Sequence, residues 1–148
     1  MNAPATNHEV FEQMHREHEA LREKLGRIHD VFQDSTPALS EIKSLLQEFE
    51  EALTIHFSNE ETDGFFDDVT NHSPALESEA ARLCVEHREL QHEAAELRRF
   101  ASAGCPSILW WRELASRCHT FSQKLMQHES AENRLLQIAY RQDVGVVD

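Results

Sequence analysis

The sequence predicts an all-α protein, an up-down-up-down four-helix bundle, and three observations carry that prediction. Gly and Pro are scarce, four of each in 148 residues, while Leu, Ala, Glu and Arg dominate, a composition that favours helix. Apolar residues recur at alternating steps of three and four through four long segments, the period of a bundle helix. The breaks between segments carry cap and proline signals and are too short for anything but antiparallel neighbours.

The first helix is expected over roughly 8–33. Its stripe is Phe11, Met14, Leu21, Leu25, Ile28 and Phe32, and His18 fills the seven-residue gap. One histidine therefore lies in the seam. Asp34-Ser35 should end the helix. Thr36 then caps Pro37 at a first helical position, opening a second helix over 37–68. Its stripe is Leu39, Ile42, Leu46, Phe49, Leu53, His56 and Glu60. Gly64 weakens the end, and Phe65 and Phe66 are expected to fold back over the end of the bundle. Thr70-Asn71-His72-Ser73-Pro74 is a break with another cap-and-proline start. The third helix, 75–103, places Leu76, Ala80, Leu83, His87, Leu90, Ala94, Leu97 and Ala101 in its seam, and Gly104 stops it. After Pro106 the fourth, 107–140, carries Trp111, Leu114, Cys118, Phe121, Leu125, His128, Glu132, Leu135 and Ala139. With short loose tails at both ends, 1–148 reads as a single domain.

The net charge of −13 argues against nucleic acid and against an anionic membrane surface. No window is apolar enough to span a bilayer, and Met1–Asn7 lacks the basic region and apolar run of a signal peptide. Three scattered cysteines without a Cys-x-x-Cys read as reduced thiols. A soluble, cytoplasmic monomer or weak homo-oligomer is the expectation.

Two His-x-x-x-Glu pairs, His56/Glu60 and His128/Glu132, set the imidazole and the carboxylate one turn apart on one side of a helix. His8/Glu12, His15/Glu19 and His92/Glu96 share the spacing but fall off the apolar stripe. Height then brings the seam residues together. His18 and His87 lie about ten to twelve residues after the starts of their helices, and His56 and His128 about twelve before the ends of theirs, so antiparallel packing puts all four about 18 Å in from one end. Glu60 and Glu132 sit one turn nearer that end. The chain also nearly repeats: His18 followed by 56/60, and His87 followed by 128/132, with separations of 38 and 41 residues. Such a two-fold arrangement offers two equivalent metal positions bridged by the carboxylates. A single seam histidine is more often a hydrogen-bonded core residue than a ligand. Two buried carboxylates are different, because unpartnered ions cost several kcal/mol each, and no basic residue occupies any of the four seams. A bound cation is the expected remedy. Imidazole with carboxylate and no thiolate suits iron, manganese or zinc, and the absence of His-Glu-x-x-His removes the main zinc-protease pattern.

Four elements in this order, Glu-His18-Glu-Ala-Leu-Arg, His56-Phe-Ser-Asn-Glu60-Glu, Glu-His87-Arg-Glu-Leu and His128-Glu-Ser-Ala-Glu132, resemble the hemerythrin-like family, specifically its HHE cation-binding branch. The resemblance covers nearly the whole chain. It implies a non-haem centre of two iron ions, bridged by Glu60 and Glu132 and by a solvent-derived oxo or hydroxo group, with His18, His56, His87 and His128 bound terminally. Two positions depart from the oxygen-carrying members, which have a further histidine where this chain has Gln91 and an aspartate where it has Asn133. Fewer protein donors leave the metals more open, which fits reaction with oxygen, peroxide or nitric oxide better than stable oxygen carriage. The resulting expectation is a di-iron protein that binds or reacts with such a small ligand. The rivals are an iron-binding sensor or buffer without turnover, and a metal-free helical interaction bundle.

The remaining polar residues give weaker signals. His15 is either an extra ligand or a flanking, partly wet histidine; His8, His29, His72, His92 and His119 read as surface residues. Glu17, Glu86 and Glu129, each beside a seam histidine, are either imidazole-orienting groups or solvated-face carboxylates. Cys84 and Cys118 read as packing, and Cys105 as the thiol to watch. Trp110 and Trp111 mark either a contact patch or a cap on the bundle end.

Overall fold

The computed structural model of the protein describes residues 7–34, 36–62, 64–104 and 106–144, with side chains described between residues 9 and 139 of those spans. Four long helices run antiparallel: α1 Asn7–Gln33, α2 Leu39–Thr62, α4 Glu77–Ala103 and α5 Ile108–Val144. A short α3, Phe65–His72, and a 3-10 turn, Pro74–Leu76, join α2 to α4. Helices α1 and α4 each pack beside both α2 and α5, closing the ring of four.

Local chemistry sets the ends. The Thr36 N–H donates to Asp34 Oδ1 at 3.3 Å, and α2 starts two residues later than Thr36-Pro37 suggests. Ser107 Oγ accepts the Trp110 N–H at 3.1 Å, an N-cap bond that fixes the first turn of α5. Gly104 has open backbone angles for any residue but no room for a side chain: a Cβ there would lie 1.8 Å from Trp110 Nε1. Trp110 is stacked on Phe100, so the tryptophan caps the bundle at this end.

The second helix is shorter than the 37–68 that periodicity suggests. Gly64 adopts a left-handed conformation (φ +84°), which ends a helix and turns the chain. The redirected segment becomes α3, and its buried Phe65, Phe66 and Val69 cover the bundle end. The segment predicted to begin the next helix at 75 starts instead as the 3-10 turn after Ser73, and α5 runs on to Val144 rather than 140.

The core falls into two apolar clusters. One contains Leu21, Ile28, Leu46, Phe49, Leu53, Leu90, Leu97, Leu114, Phe121 and Leu125. The other contains Met14, Phe65, Phe66, Val69, Leu83, Leu135 and Leu136. Phe49 and Phe121 meet edge-to-face at 5.6 Å. In α1, α4 and α5 the polar seam residues come between the members of one cluster and those of the other, and in α2 His56 and Glu60 lie at the end that leads to Phe65 of the second, so a polar layer divides the core. No helix among the described residues is long and apolar enough to cross a membrane.

Candidate metal centre

All six seam residues meet in that layer. His18 comes from α1, His56 and Glu60 from α2, His87 from α4, and His128 and Glu132 from α5, and none is more than 4 % exposed. The four imidazoles turn their Nε2 atoms toward the carboxylates. His56 Nε2 lies 3.0 Å from Glu60 Oε1, and His128 Nε2 lies 3.3 Å from Glu132 Oε1. His87 Nε2 is 3.2 Å from Glu132 Oε2 and 3.4 Å from Glu60 Oε1. His18 Nε2 is 3.4 Å from Glu132 Oε1 and 4.0 Å from Glu60 Oε2. Two groups of four result, His18/His56/Glu60/Glu132 and Glu60/His87/His128/Glu132, with one candidate ligand atom from each residue, all within 4.8 Å of one another. Both carboxylates belong to both groups.

The donor chemistry fits divalent transition ions. Buried and without hydrogen-bond partners among the described residues are Nε2 of His18, His56 and His128, both oxygens of Glu60, and Oε1 of Glu132. Orphaned buried polar atoms are costly, and here they cluster at the centre of the two groups. Lone pairs of nitrogen and oxygen converging on one point are what a cation satisfies. The family model of the hemerythrin HHE cation-binding domain matches residues 9–138.

The chain belongs to that family.

No curated protein and no solved structure gives a significant match.

In this hemerythrin HHE domain the outward Nδ1 atoms meet a ring of further glutamates. His56 Nδ1–H donates to Glu17 Oε1 at 2.9 Å, and His128 Nδ1–H to Glu86 Oε1 at 3.3 Å. Each bond fixes the ring orientation that turns Nε2 toward the carboxylates. Glu17 and Glu86 thus take the orienting role rather than that of solvated-face carboxylates. Glu61 lies 3.6 Å from His87 Nδ1, near but beyond hydrogen bonding. Sequence reasoning did not single it out, although its position directly after Glu60 is a local signal.

Glu129 departs from both expectations. It is 1 % exposed, its Oε2 accepts Arg22 Nε–H at 3.2 Å, and its Oε1 has no hydrogen-bond partner among the described residues. The near-repeat explains its setting. Positions 57 and 129 are equivalent, each following an α2 or α5 histidine. Phe57 stacks on His87 at 3.9 Å with a 10° tilt, whereas its counterpart is a buried carboxylate held by an α1 arginine. The two halves of the site are chemically unequal.

The electrostatics show the strain that a cation relieves. Burial holds His18 down to about 3, and burial followed by His87 holds His128 down to about 4. Burial also pulls His56 down, but the Glu60 and Glu17 carboxylates outweigh it and leave His56 above its ordinary value. Burial opposes ionisation of Glu60, yet contacts from His56, His87 and Glu132 bring it below the usual carboxylate range. Burial, then the Glu60 charge, keeps Glu132 far above it. Burial and the Glu60 charge thus oppose a second anion beside the first.

The other histidines stay outside. His15 is exposed and pairs with Glu19 at 3.2 Å, so it does not join the site. His29, His92 and His119 are exposed, and His72 Nδ1–H donates to the Asp68 carbonyl at 2.8 Å. Cys118 is buried, its thiol pushed up to about 12 by burial, in keeping with packing. Cys105 and the His8 side chain lie outside the described residues.

Proposed function

We propose that this hemerythrin HHE domain holds two iron ions and that the pair binds or reacts with a small ligand such as oxygen, peroxide or nitric oxide. One observation carries the reading: two four-residue groups share Glu60 and Glu132 while most of their inward atoms lack hydrogen-bond partners among the described residues. His18 and His56 would serve one ion, His87 and His128 the other, and the two carboxylates both. Iron, with manganese or zinc as alternatives, suits this imidazole–carboxylate set. When bound, the ions supply Lewis acidity, electron exchange and open positions for a ligand. A solvent-derived bridge between them belongs to the same proposal.

The chain's own residues do the rest. Glu17 and Glu86 hold His56 and His128 with Nε2 turned inward, so the donor set is assembled before metal arrives. The two apolar clusters above and below the layer exclude water and keep the local dielectric low. The stacked Phe57 fixes the plane of the His87 ring. This is the four-His, two-Glu pattern of the HHE branch, which agrees with Gln91 and Asn133 standing where oxygen carriers have further ligands.

Metal analysis combined with optical spectra tests the proposal. Protein from iron-supplemented cells should carry two iron ions per chain, with absorption that changes on adding oxygen, peroxide or nitric oxide. Well under one metal per chain would refute it. Steady-state consumption of peroxide or nitric oxide separates turnover from binding alone.

A further inference from the structure

The geometry points to a dedicated entry site for a small uncharged molecule, a cavity of about 230 Å³ between α1, α2 and α3 that opens at Gln13, Glu17 and Asn59 and ends on Glu60. The inference rests on the metal-site reading for its purpose, but the cavity exists independently of metal. Its walls are graded. Gln13 is exposed, and Glu17 and Asn59 are half-buried. The throat is Met14 and Phe65, 4 % and 2 % exposed, with Val10 beside them. The floor is Glu60, 4 % exposed, with both oxygens lacking hydrogen-bond partners among the described residues. The rim is held in place: Gln13 Nε2–H donates to Glu17 Oε2 at 3.1 Å, and Asn59 Nδ2–H to Glu17 Oε1 at 3.2 Å.

Size and charge define what enters. A volume of this order takes a handful of water-sized molecules and lies below the roughly 300–1,000 Å³ of drug-sized ligand pockets. No lysine or arginine lines it, and two carboxylates do. Residues 1–74 carry five basic and sixteen acidic side chains, against nine and eleven in the remainder, so the approach is through a negative field. Anions are repelled there and small neutral molecules are not.

The other half of the near-repeat shows what this opening lacks. There Gln13, Glu17 and Asn59 correspond to Arg82, Glu86 and Ala131. A larger cleft does reach His128 at that face, but it is lined by Arg82, Glu93, Lys124 and Arg134. Arg82–Glu86 at 3.1 Å and Lys124–Glu93 at 2.7 Å are ion pairs of that lining. It is a mainly charged cleft whose apolar lining is Leu90 and Ala131. The throat on the first side depends on Gly64, whose left-handed turn sends Phe65 back over the site.

Two measurements test the proposal. In metal-free protein under xenon pressure, the Met14 methyl resonance should shift and a xenon atom should occupy the cavity beside Phe65 in crystals. An unshifted Met14 methyl with xenon bound elsewhere would overturn it. In iron-loaded protein, Val10→Trp should slow nitric oxide association at least tenfold at unchanged iron content, and Phe65→Leu should speed it. Ala131→Trp, at the charged cleft, should leave the rate within twofold. Slowing by Ala131→Trp and not by Val10→Trp would overturn the assignment. Azide should associate more slowly than nitric oxide and accelerate with added salt, whereas nitric oxide should not; salt-independent azide entry would count against the charge argument. Failure of the chain to load iron would refute the proposed function and leave the xenon measurement decisive for the cavity.

Discussion

Glu132→Gln separates a metal site from a hydrogen-bonded polar layer by the sign of one stability change. The substitution keeps shape and removes charge at a residue that is fully buried. Burial and the neighbouring Glu60 hold the Glu132 carboxyl far above its ordinary range. The metal-free fold therefore either keeps a proton on Glu132 or buries a second charge beside Glu60, and both oppose folding. Burying such a group without a compensating partner carries a penalty on the order of a few kcal/mol. Glutamine does not incur it. For a chain of this length, about 2–4 °C accompanies each kcal/mol, so metal-free Glu132→Gln should melt above the metal-free parent by several degrees. Metal reverses the order. Both four-residue groups include Glu132, so its loss leaves each position three protein donors, and the variant should retain neither ion. The parent should gain melting temperature on adding iron, the variant should not. The assay is thermal unfolding with and without chelator, paired with metal analysis. In a purely hydrogen-bonded layer, held by contacts such as His87–Glu132 at 3.2 Å, added iron would leave the order of the two proteins unreversed. That result, or retention of two ions by the variant, would refute the reasoning.

Three other outcomes follow from the same geometry. Glu17→Gln should weaken metal binding about 10–100-fold, or roughly 1.4–2.8 kcal/mol, by loosening His56, and Glu86→Gln should do less because its bond to His128 is longer, 3.3 against 2.9 Å; competition with a chelator of known affinity reads both. Burial pushes Glu129 up to about 7 from an ordinary 4.5. The folded state therefore binds more protons between those values, and its contribution is complete below about pH 4.5 and lost as pH rises through about 7. Metal-free Glu129→Gln should match the parent near pH 4.5 and exceed it by up to about 3 kcal/mol above pH 7, measured by denaturant unfolding across pH; a pH-independent difference would contradict the buried-anion account. Gly104→Ala should cost about 2–3 kcal/mol, because its Cβ would sit 1.8 Å from Trp110 Nε1, with a change in tryptophan fluorescence and no change in metal content.

Much of this protein follows from periodicity. The alternation of three and four fixes which face of each long helix is buried, because a helix places residues at those spacings on one side, and His18, His56, Glu60, His87, His128 and Glu132 stand out as polar interruptions of it. Their common height follows from antiparallel packing at 1.5 Å per residue. What periodicity does not encode is where a helix yields to a turn. Gly64 lies within the span expected to stay helical, and only its left-handed backbone makes Phe65 and Phe66 a separate covering helix.

The sequence by itself determined the four amphipathic helices and the six polar residues in their seams, because both are properties of spacing along one chain. The tertiary structure alone decided the surroundings of those residues. That Glu17 and Glu86 reach His56 and His128, that Glu129 lies buried against Arg22 rather than solvated, and that Glu60 lines a cavity with Val10 and Phe65 are contacts between different helices. Such contacts depend on how far each helix is rotated and where α3 folds back. A carboxylate one position off a seam is wet or dry according to what its neighbour presents, and no local pattern specifies that.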